Sequence, residues 1–495
     1  MSVRAGIFIF STACVATLIA QPPGDQQFDR FGPPTDEDVL EEYCYFNDEQ
    51  PHVMFGTKTS YDSTNRGGGG REHLIPNCKP VQFWSLNRHG TRLPKAFKIR
   101  RLRQLRKFKD EIVDNYEQRR SYPSGRGRLC PEDYDLLRSW RWNDSVTEER
   151  EGSLTAQGTT ELKLLARRYR SRFPPVFDRP YDDRTYYFQY ALSDRTHDSY
   201  QAYIEGLFDN AYYHAHANTM GNDDVIKPYK DCAAWQERTD RNPATEYHYR
   251  RFLESPEYYE LSRRVFRRLG FRYDPDPQTV LDIYDMCRYE KAWNVDRPSA
   301  WCAAFTKDQL RFLEYGDDLK EYYATGYGNP LTERIGCAPI RDLLRRFQKT
   351  VDGKSEGNKV TALFTHAATV QAALTTLGVA KDYTLLTADN YRQQARRRWR
   401  TSVISPFAAN LVAVLHQCSV GDPYKVAFYL NEVPVDDIPG CAVGLCDWEA
   451  FKGRFEGLAE GCDVRAFCEG RAVAPSIRPQ RALLCAIAAI AFLAQ

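Results

Sequence analysis

Residues 81–94 of the chain read VQFWSLNRHGTRLP. The first half alternates apolar and polar residues as a short β-strand does, and Gly90 is a residue that ends such a strand. Arg88 and Arg92 carry planar, permanent charges that can hold phosphate oxygens through paired hydrogen bonds. His89 lies between them and can attack phosphorus when its imidazole is neutral. An isolated Arg-His pair is more often a basic surface loop, but the complete pattern indicates phosphate chemistry at the end of a strand.

The run RHGTRLP resembles the signature of the histidine acid phosphatases, and in particular of their phytase-like branch. The resemblance implies that His89 is the nucleophile that becomes a phosphohistidine, with Arg88 and Arg92 in the phosphate pocket. It also implies a phosphomonoesterase that acts on inositol polyphosphates, namely inositol hexakisphosphate and its lower forms. No metal or cofactor is expected, because the arginine side chains neutralise the phosphate charge.

Two later segments follow the same plan of a strand that ends in a polar residue. Residues 185–192 form a predicted strand, and Arg195 comes just after it. Residues 359–365 form another, which ends at His366. Ligand contacts in open α/β sheets lie at such strand ends, although each residue alone is more often structural. The resemblance implies that Arg195 is a third phosphate-binding arginine and His366 the second catalytic histidine, and Lys95, just past the signature, is a further candidate for the pocket.

The residues after His366 depart from the family pattern. Relatives carry Ala-Glu or Asp there, and that carboxylic acid protonates the departing alcohol oxygen, whereas this chain has Ala367 and Ala368. General acid catalysis typically contributes about 10²–10⁴-fold, so turnover of an inositol phosphate is expected to be slow unless another group donates the proton. Asp194 and Glu432 are candidate donors, and the identity of the donor stays open.

Two functions are therefore compatible with the sequence. The first is an inositol polyphosphate phosphatase whose activity is weakened by the missing acid. The second is a non-catalytic, anchored protein that binds polyphosphorylated ligands. The retained nucleophile His89 favours the first.

Strand patterns near 81, 185 and 359 alternate with helical patterns, and the stretch between the last two is mostly helical. This order predicts an α/β sandwich of the histidine-phosphatase type with a mostly α-helical inserted subdomain. Two alternating segments at 410–416 and 424–430 predict a hairpin, and the basic run before them, 396–400, is interpreted as solvated surface. The predicted division of the chain is a signal peptide at 1–20, an α/β domain at 21–208 and 359–470, an α-helical insertion at 209–358 and a C-terminal propeptide at 471–495.

Charge and cysteine usage limit the class of protein. Lys and Arg total 68 against 66 acidic residues, so no nucleic-acid partner is expected and any anion site must be local. Of the fourteen cysteines, the twelve between residues 44 and 468 form an even set. In a secretory chain such a set indicates disulfides, whose pairing the sequence leaves open. No Cys-x-x-Cys pair or Cys/His cluster has the spacing of a zinc site.

Both ends of the chain carry apolar segments. Residues 5–20 have the length of a signal peptide. Residues 482–494 follow a polar spacer and the small residue Gly470, an order typical of a GPI-attachment signal, with Ala472 as a second choice of site. The expected location is the secretory pathway and the cell surface, with membrane contact through a lipid anchor; the endoplasmic reticulum lumen and secretion are alternatives. Asn143 begins an Asn-Asp-Ser glycosylation sequon.

Overall fold

The computed structural model describes residues 43–64, 75–119, 127–218, 223–273, 276–354, 358–441 and 444–470. The predicted signal peptide and the whole predicted C-terminal propeptide lie outside these ranges. Within them, no helix combines the length and the apolar character that crossing a bilayer requires.

The described residues contain a mixed β-sheet. Its strands are β1 (Cys78–Arg88), β2 (Tyr186–Tyr190), β3 (Val360–Thr365), β4 (Asn410–Cys418), β5 (Tyr424–Leu430), β6 (Val433–Pro434) and β7 (Leu445–Asp447). Their order in space is β2-β3-β1-β4-β5-β6, and β7 pairs with β5. The first three strands are parallel, and the later four are added antiparallel. The register pairs Arg88 with Thr365, so β1 and β3 end at the same edge of the sheet.

The α-helices alternate with these strands along the chain. They are α1 (Tyr61–Thr64), α2 (Ala96–Arg103), α3 (Leu105–Arg119), α4 (Pro131–Ser139), α5 (Ala156–Arg172), α6 (Pro174–Phe177), α7 (Asp194–Phe208), α8 (Ala233–Trp235), α9 (Tyr247–Leu253), α10 (Pro256–Arg268), α11 (Pro277–Trp293), α12 (Lys307–Thr325), α13 (Thr332–Val351), α14 (Ala367–Leu377), α15 (Thr401–Ile404), α16 (Trp448–Glu460) and α17 (Val464–Cys468). The predicted α/β class and the predicted hairpin, formed by β4 and β5, are both confirmed.

Helices cover both faces of the sheet. Phe83 of β1 packs in one hydrophobic cluster with side chains of α5, α6 and α7. Its neighbour Trp84 points to the other face and packs with side chains of α13, α14 and α16. The polar residues Ser85 and Asn87 are buried as well. The alternation of β1 therefore reflects two covered faces, as expected for a parallel strand inside a sandwich.

The chain between β2 and β3 is helical. Beyond residue 209, its described residues contain helices α8 to α13 and no β-strand. Helices α9 to α13 share one hydrophobic cluster with Trp84 of the sheet, and all described residues belong to a single unit that begins at Tyr43. The boundaries of an inserted subdomain at 209 and 358 remain a prediction.

All twelve cysteines of the predicted set are paired. The disulfides are Cys44–Cys130, Cys78–Cys418, Cys232–Cys468, Cys287–Cys302, Cys337–Cys462 and Cys441–Cys446. Most of them join segments far apart in the sequence, which restricts the unfolded chain and stabilises the fold.

The interpretation of the basic run 396–400 as solvated surface is right for Arg396 and Arg398, which are exposed, and wrong for Arg397 and Arg400. Arg397 is buried, and its Nε donates to the Asp318 carboxylate at 2.6 Å. Arg400 donates twice to the Glu314 carboxylate, each time at 2.8 Å. Both carboxylates belong to α12, so the run fastens the segment before β4 to the helical part of the chain.

Candidate active site

Three parallel strands bring the predicted site residues to one edge of the sheet. His89 follows β1 and His366 follows β3, and their ring centroids lie 5.5 Å apart. The backbone N–H of His89 donates to the Thr365 carbonyl at 3.0 Å, which fixes the two turns against each other. Arg195 lies in the first turn of α7, just beyond the end of β2.

The imidazole of His89 is buried and neutral. Its Nδ1 lies 2.8 Å from the Gly90 carbonyl oxygen, which can only accept, so Nδ1 carries the proton and Nε2 keeps a free lone pair. Burial, followed by the positive charge of Arg88, holds the pKa of His89 well below its usual value. At neutral pH the ring therefore presents an unprotonated Nε2, the form that nucleophilic attack requires.

His366 is the N-cap residue of α14, and neither ring nitrogen has a hydrogen-bond partner among the described residues. Burial, followed by the charges of Arg195 and Lys227, lowers the pKa of His366 to about 2. Buried polar atoms without partners are rare, and they indicate a place where a ligand supplies the missing contact. The amide groups at the start of α14 favour an anion at the same place.

Arg88 is buried and held at one end of its guanidinium group. Its Nη1 donates to the carbonyls of Thr57 and Ser405 at 2.7 Å each, and the guanidinium carbon lies 4.5 Å from the centroid of the Phe407 ring. Its Nε has no partner in the described part of the chain. Burial, followed by the charge of Arg92, lowers the pKa of Arg88 to about 9. A bound anion would relieve both effects, because it replaces lost solvation and lies between like charges.

Arg92 and Arg195 complete a cluster of three guanidinium groups. The Nη1 of Arg92 donates to the Leu93 carbonyl at 2.7 Å, and the Nε atoms of Arg92 and Arg195 are buried without a partner among the described residues. Burial, followed by the charge of Arg92, lowers the pKa of Arg195. Within the same ranges no carboxylate forms an ion pair with any of the three arginines, so their charge is available to an anionic ligand.

Glu161 of α5 supports the turn that follows β1 and carries His89. Its carboxylate accepts hydrogen bonds from the Thr91 N–H at 2.8 Å, the Thr91 hydroxyl at 2.9 Å and the Ser60 hydroxyl at 2.7 Å. Burial raises the pKa of Glu161 to about 7. Sequence reasoning missed this residue, although its spacing of four from Leu165 puts it on the apolar face of α5.

The turn that carries His89 also packs directly on α5 and α7. A Cβ atom at Gly90 would lie 2.5 Å from the Gly158 carbonyl oxygen, so only glycine fits at this contact. The Gly90 N–H donates to the Ser199 hydroxyl at 3.1 Å, and that hydroxyl donates to the Arg195 carbonyl at 2.6 Å. Ser199 thereby joins the turn of His89 to the helix of the third arginine.

Two predicted residues lie at the rim. Lys95 is the N-cap residue of α2, and its half-exposed ammonium lies 3.9 Å from the Glu151 carboxylate. Its role in phosphate binding stays a prediction. Asp194 is the exposed first residue of α7, and its charge acts on Arg195.

Glu432 is the wrong choice of proton donor. Its carboxylate accepts two hydrogen bonds from Arg168, at 2.8 and 2.9 Å, and one from the Tyr61 hydroxyl at 2.7 Å. Both carboxylate oxygens are thus occupied by donors from α1 and α5, and neither is free to contact a leaving oxygen. Glu432 is a structural residue that ties α5 to the end of β5.

A cavity of about 300 Å³ lies among helices α2, α9, α11 and α12. Lys58 lines it and directly follows Thr57, whose carbonyl accepts from Arg88. The charged lining residues are Lys58, Lys98, Arg101, Asp285, Arg288, Asp317, Lys320 and Glu321. Three of the five basic lining residues are already paired with carboxylates, namely Lys98, Arg101 and Arg288. Among the described residues, Lys58 and Lys320 are the lining cations that form no ion pair, so they are the positive charges that this cavity offers to an anion.

The described residues include a group with the spacing of metal ligands, formed by Cys44, Cys130 and Glu132. The two cysteines form a disulfide, so they offer no thiolate to a metal. Arg88, Arg92 and Arg195 are not part of this group of three residues.

These groups together can transfer a phosphoryl group. A neutral nitrogen nucleophile, three unpaired guanidinium groups and a second buried histidine surround one place at the sheet edge. Fixed positive charges of this kind stabilise the charge that develops on the oxygens of a transferring phosphoryl group.

Comparison with known proteins gives the same class. Residues 82–431 match the family model described as the histidine phosphatase superfamily (branch 2). Multiple inositol polyphosphate phosphatase 1 of Drosophila melanogaster is 35% identical over 431 residues, which cover 86% of this chain and 90% of that protein. The protein of the same name from Homo sapiens is 27% identical, over 84% of this chain and 88% of its own length.

Solved structures share the fold. The phytase from D. castellii has a TM-score of 0.61 at 18% identity and covers 81% of this chain and 84% of its own. The multiple inositol polyphosphate phosphatase of Bifidobacterium longum, in complex with inositol hexasulfate, also has a TM-score of 0.61, at 15% identity, and covers 82% of this chain and 97% of its own. The family match spans the two histidines and the three arginines of the site. The chain belongs to the histidine phosphatase superfamily (branch 2) and is a phosphatase of that family.

Proposed function

We propose that this protein is a phosphomonoesterase that hydrolyses inositol polyphosphates, inositol hexakisphosphate included, through a phosphohistidine at His89. The observation that carries the proposal is the neutral, buried imidazole of His89, whose Nε2 is free beside three unpaired guanidinium groups. The names of two relatives, both called multiple inositol polyphosphate phosphatase 1, support the substrate class.

In the proposed mechanism, the Nε2 lone pair of His89 attacks phosphorus, a P–N bond forms and the P–O bond to the alcohol breaks. Arg88, Arg92 and Arg195 neutralise the charge on the oxygens that stay with phosphorus. The neutral ring of His366 donates one N–H to the same group. Water then attacks the phosphohistidine, which releases inorganic phosphate and restores His89.

The cavity lined by Lys58 is proposed to receive the phosphate groups that do not react. An inositol polyphosphate carries several such groups, and each needs positive charge or hydrogen-bond donors in exchange for its hydration. Lys58 and Lys320 offer positive charge there, and Lys58 directly follows Thr57, whose carbonyl accepts from Arg88.

The proposed activity is weaker than that of relatives with a carboxylic acid after the second histidine. The oxygen of a sugar alcohol is a poor leaving group, and the methyl side chain of Ala368 has no proton to offer. Phosphate esters with better leaving groups are therefore expected to react faster than inositol phosphates.

The missing acid also favours the second candidate function, an anchored protein that binds polyphosphorylated ligands without turnover. In that case the arginine cluster alone would be used. The free Nε2 of His89 has no purpose in a binding protein, and for this reason we favour the enzyme.

Release of inorganic phosphate from inositol hexakisphosphate by the purified protein, without added metal, tests the proposal. We expect release well above that of the His89→Ala variant. Release equal to the variant, with binding of inositol hexakisphosphate retained, would contradict the phosphatase and support the binding protein.

The proposed location is the secretory pathway, followed by attachment to the cell surface through a GPI anchor at Gly470. Six disulfides support an oxidising compartment. Asn143 is exposed and is proposed to carry a glycan. Release of the protein from intact cells by a phosphatidylinositol-specific phospholipase tests the anchor, and protein found only in the medium or the endoplasmic reticulum would contradict it.

A further inference from the structure

We propose that Lys227 donates the proton to the departing alcohol oxygen and so takes the place of the acid that Ala368 lacks. The proposal rests on the phosphatase function proposed above. It names the side chain that completes the reaction at the His366 turn.

Two hydroxyl groups hold the neighbour of Lys227 against the start of α14. The Thr369 hydroxyl donates to the Ile226 carbonyl at 2.9 Å, and the Thr365 hydroxyl donates to the same carbonyl. Thr365 and Thr369 flank His366 and Ala368 in the sequence. The residue that follows Ile226 is therefore fixed beside the turn in which the family acid is missing.

The ammonium of Lys227 is not used elsewhere in the fold. Within the described ranges its side chain forms no ion pair and no hydrogen bond, although it is half-buried. Lys230, three residues later, lies 3.6 Å from the Asp223 carboxylate and is thus paired. A partly buried cation without a partner indicates a ligand contact, because its desolvation is otherwise uncompensated.

Electrostatic effects on His366 agree with a position of Lys227 near this histidine. Its charge lowers the pKa of His366 more than the charges of Arg88 and Arg92 do, and only that of Arg195 acts more strongly. Coulomb interactions weaken with distance, so this order is expected if Lys227 is nearer to His366 than those two arginines are.

Lys227 is also able to carry a proton and to release it to the leaving alcohol oxygen. The charged groups that act most strongly on the two histidines are Arg88, Arg92, Arg195 and Lys227, all of them cations. Arginine does not release its proton in proteins, and a pKa near 2 keeps His366 neutral. A lysine ammonium can both carry a proton and give it up when its pKa is lowered.

The surroundings of Lys227 lower its pKa. Burial has the largest effect and lowers it, and so do the charges of Lys230 and Arg195, whereas Asp223 and Asp231 raise it. His366, the N-cap residue of α14 on which the charge of Lys227 acts, is neutral. Bound phosphate adds negative charge and keeps the ammonium protonated until the alcohol oxygen becomes basic.

The His89 Nε2–P bond forms while the P–O bond to the alcohol breaks, and the leaving oxygen takes a proton from the Lys227 ammonium, which becomes a neutral amine. In the second half, that amine accepts a proton from the water that attacks the phosphohistidine, and the ammonium is restored.

The test compares a poor and a good leaving group. Inositol hexakisphosphate needs the proton, whereas 4-nitrophenyl phosphate releases a stable phenolate and needs it little. We expect Lys227→Met and Lys227→Arg to lose about 10²-fold or more in kcat with inositol hexakisphosphate, and only a few-fold with 4-nitrophenyl phosphate. The second substrate also shows that each variant is folded. Lys349→Met, at an exposed position of α13, is the control and is expected to behave like the unmodified protein.

A rescue experiment separates proton donation from charge. Ala368→Glu in the Lys227→Met background is expected to restore hydrolysis of inositol hexakisphosphate, because it returns an acid to the neighbouring position. Retained activity in Lys227→Arg, or equal losses on both substrates, would mean that Lys227 supplies charge only and would overturn the proposal. Glu321 lines the cavity. If Glu321→Gln instead of Lys227→Met lost activity with inositol hexakisphosphate alone, the proton donor would be Glu321, and the proposal would be overturned. An unmodified protein that is no faster than His89→Ala on both substrates would refute the phosphatase itself.

Discussion

The turns after β1 and β3 meet at the same sheet edge, but the chain holds them in different ways. The β1 turn carries His89 and is fixed by hydrogen bonds to Glu161 and Ser199. The β3 turn carries His366, whose ring nitrogens have no partner among the described residues, and α14 then starts with two alanines. The polar groups of the β1 turn thus have partners on α5 and α7, whereas the ring of His366 is left without one among the described residues. The proposed nucleophile therefore lies in a turn that a contiguous motif marks in the sequence, whereas the proposed proton donor lies in a different segment from the turn that it would serve.

Removal of the two histidines should give the largest and most unequal effects. We expect His89→Ala to lower kcat by at least about 10⁴-fold, because it deletes the atom that forms the P–N bond. His366→Ala should cost about 10²–10³-fold, the usual loss when one group that stabilises transition-state charge is removed. Phosphate release from 4-nitrophenyl phosphate measures both, and thermal unfolding checks that both variants are folded. Equal losses would show that the two turns do not differ in role.

Deletion of the support under the β1 turn should mainly affect stability. Glu161→Ala leaves the Thr91 N–H and the Ser60 hydroxyl without their buried acceptor, so we expect the free energy of unfolding to fall by about 2–4 kcal/mol. Glu161→Gln keeps an acceptor oxygen and should lose less than half of that. Denaturant unfolding measures both variants, and Glu149→Ala, at an exposed position, is the control. A Glu161→Ala protein as stable as the control would show that the carboxylate does not hold the turn.

Much of the fold could be predicted because its signals are local. Strands β1, β3, β4 and β5 carry their own apolar patterns, and the RHG turn is contiguous. Residues whose contacts lie in distant parts of the sequence are marked by weaker sequence patterns. Glu161 looks like one polar residue on a packing helix, and only its spacing from Leu165 places it inside.

The errors have the same origin. The run 396–400 has the composition of a solvated loop, and the ion pairs of two of its arginines depend on Asp318 and Glu314, which lie on a helix far away in the sequence. Glu432 stands in a family-like segment, but its pairing with Arg168 is not visible there. Opposite charges that meet only in the folded chain cannot be matched without the fold.

Return of the acid to the β3 turn should have a moderate effect. We expect Ala368→Glu to raise kcat for inositol hexakisphosphate by about tenfold, with KM within about twofold of its original value, because a carboxylic acid is a stronger proton donor than an ammonium group. Ala367→Glu is the matched control, since the neighbouring alanine should not reach the leaving oxygen. An unchanged rate in Ala368→Glu would mean that the proton is not given from this position. The β3 turn would then not be the place where an acid is missing.

The acidic side of the pH profile should show the smallest change. An ordinary histidine with a pKa of about 6.5 is mostly protonated at pH 5, which would lower the reactive fraction by about thirtyfold. The pKa of His89 in the free protein lies well below that value, because burial and then Arg88 disfavour the imidazolium form. The neutral nucleophile therefore persists as pH falls, and kcat/KM, which reports the free enzyme, should change less than about threefold between pH 6.5 and 5. The profile must be corrected for the phosphate of the substrate, whose second pKa is near 6. Glu161 also has a pKa raised to about 7, and the Glu161→Gln variant must show that this group does not shape the profile. A fall of about fifteenfold between pH 6.5 and 5, following one ionisation near pH 6.5, would show that burial and the arginine cluster do not hold His89 neutral.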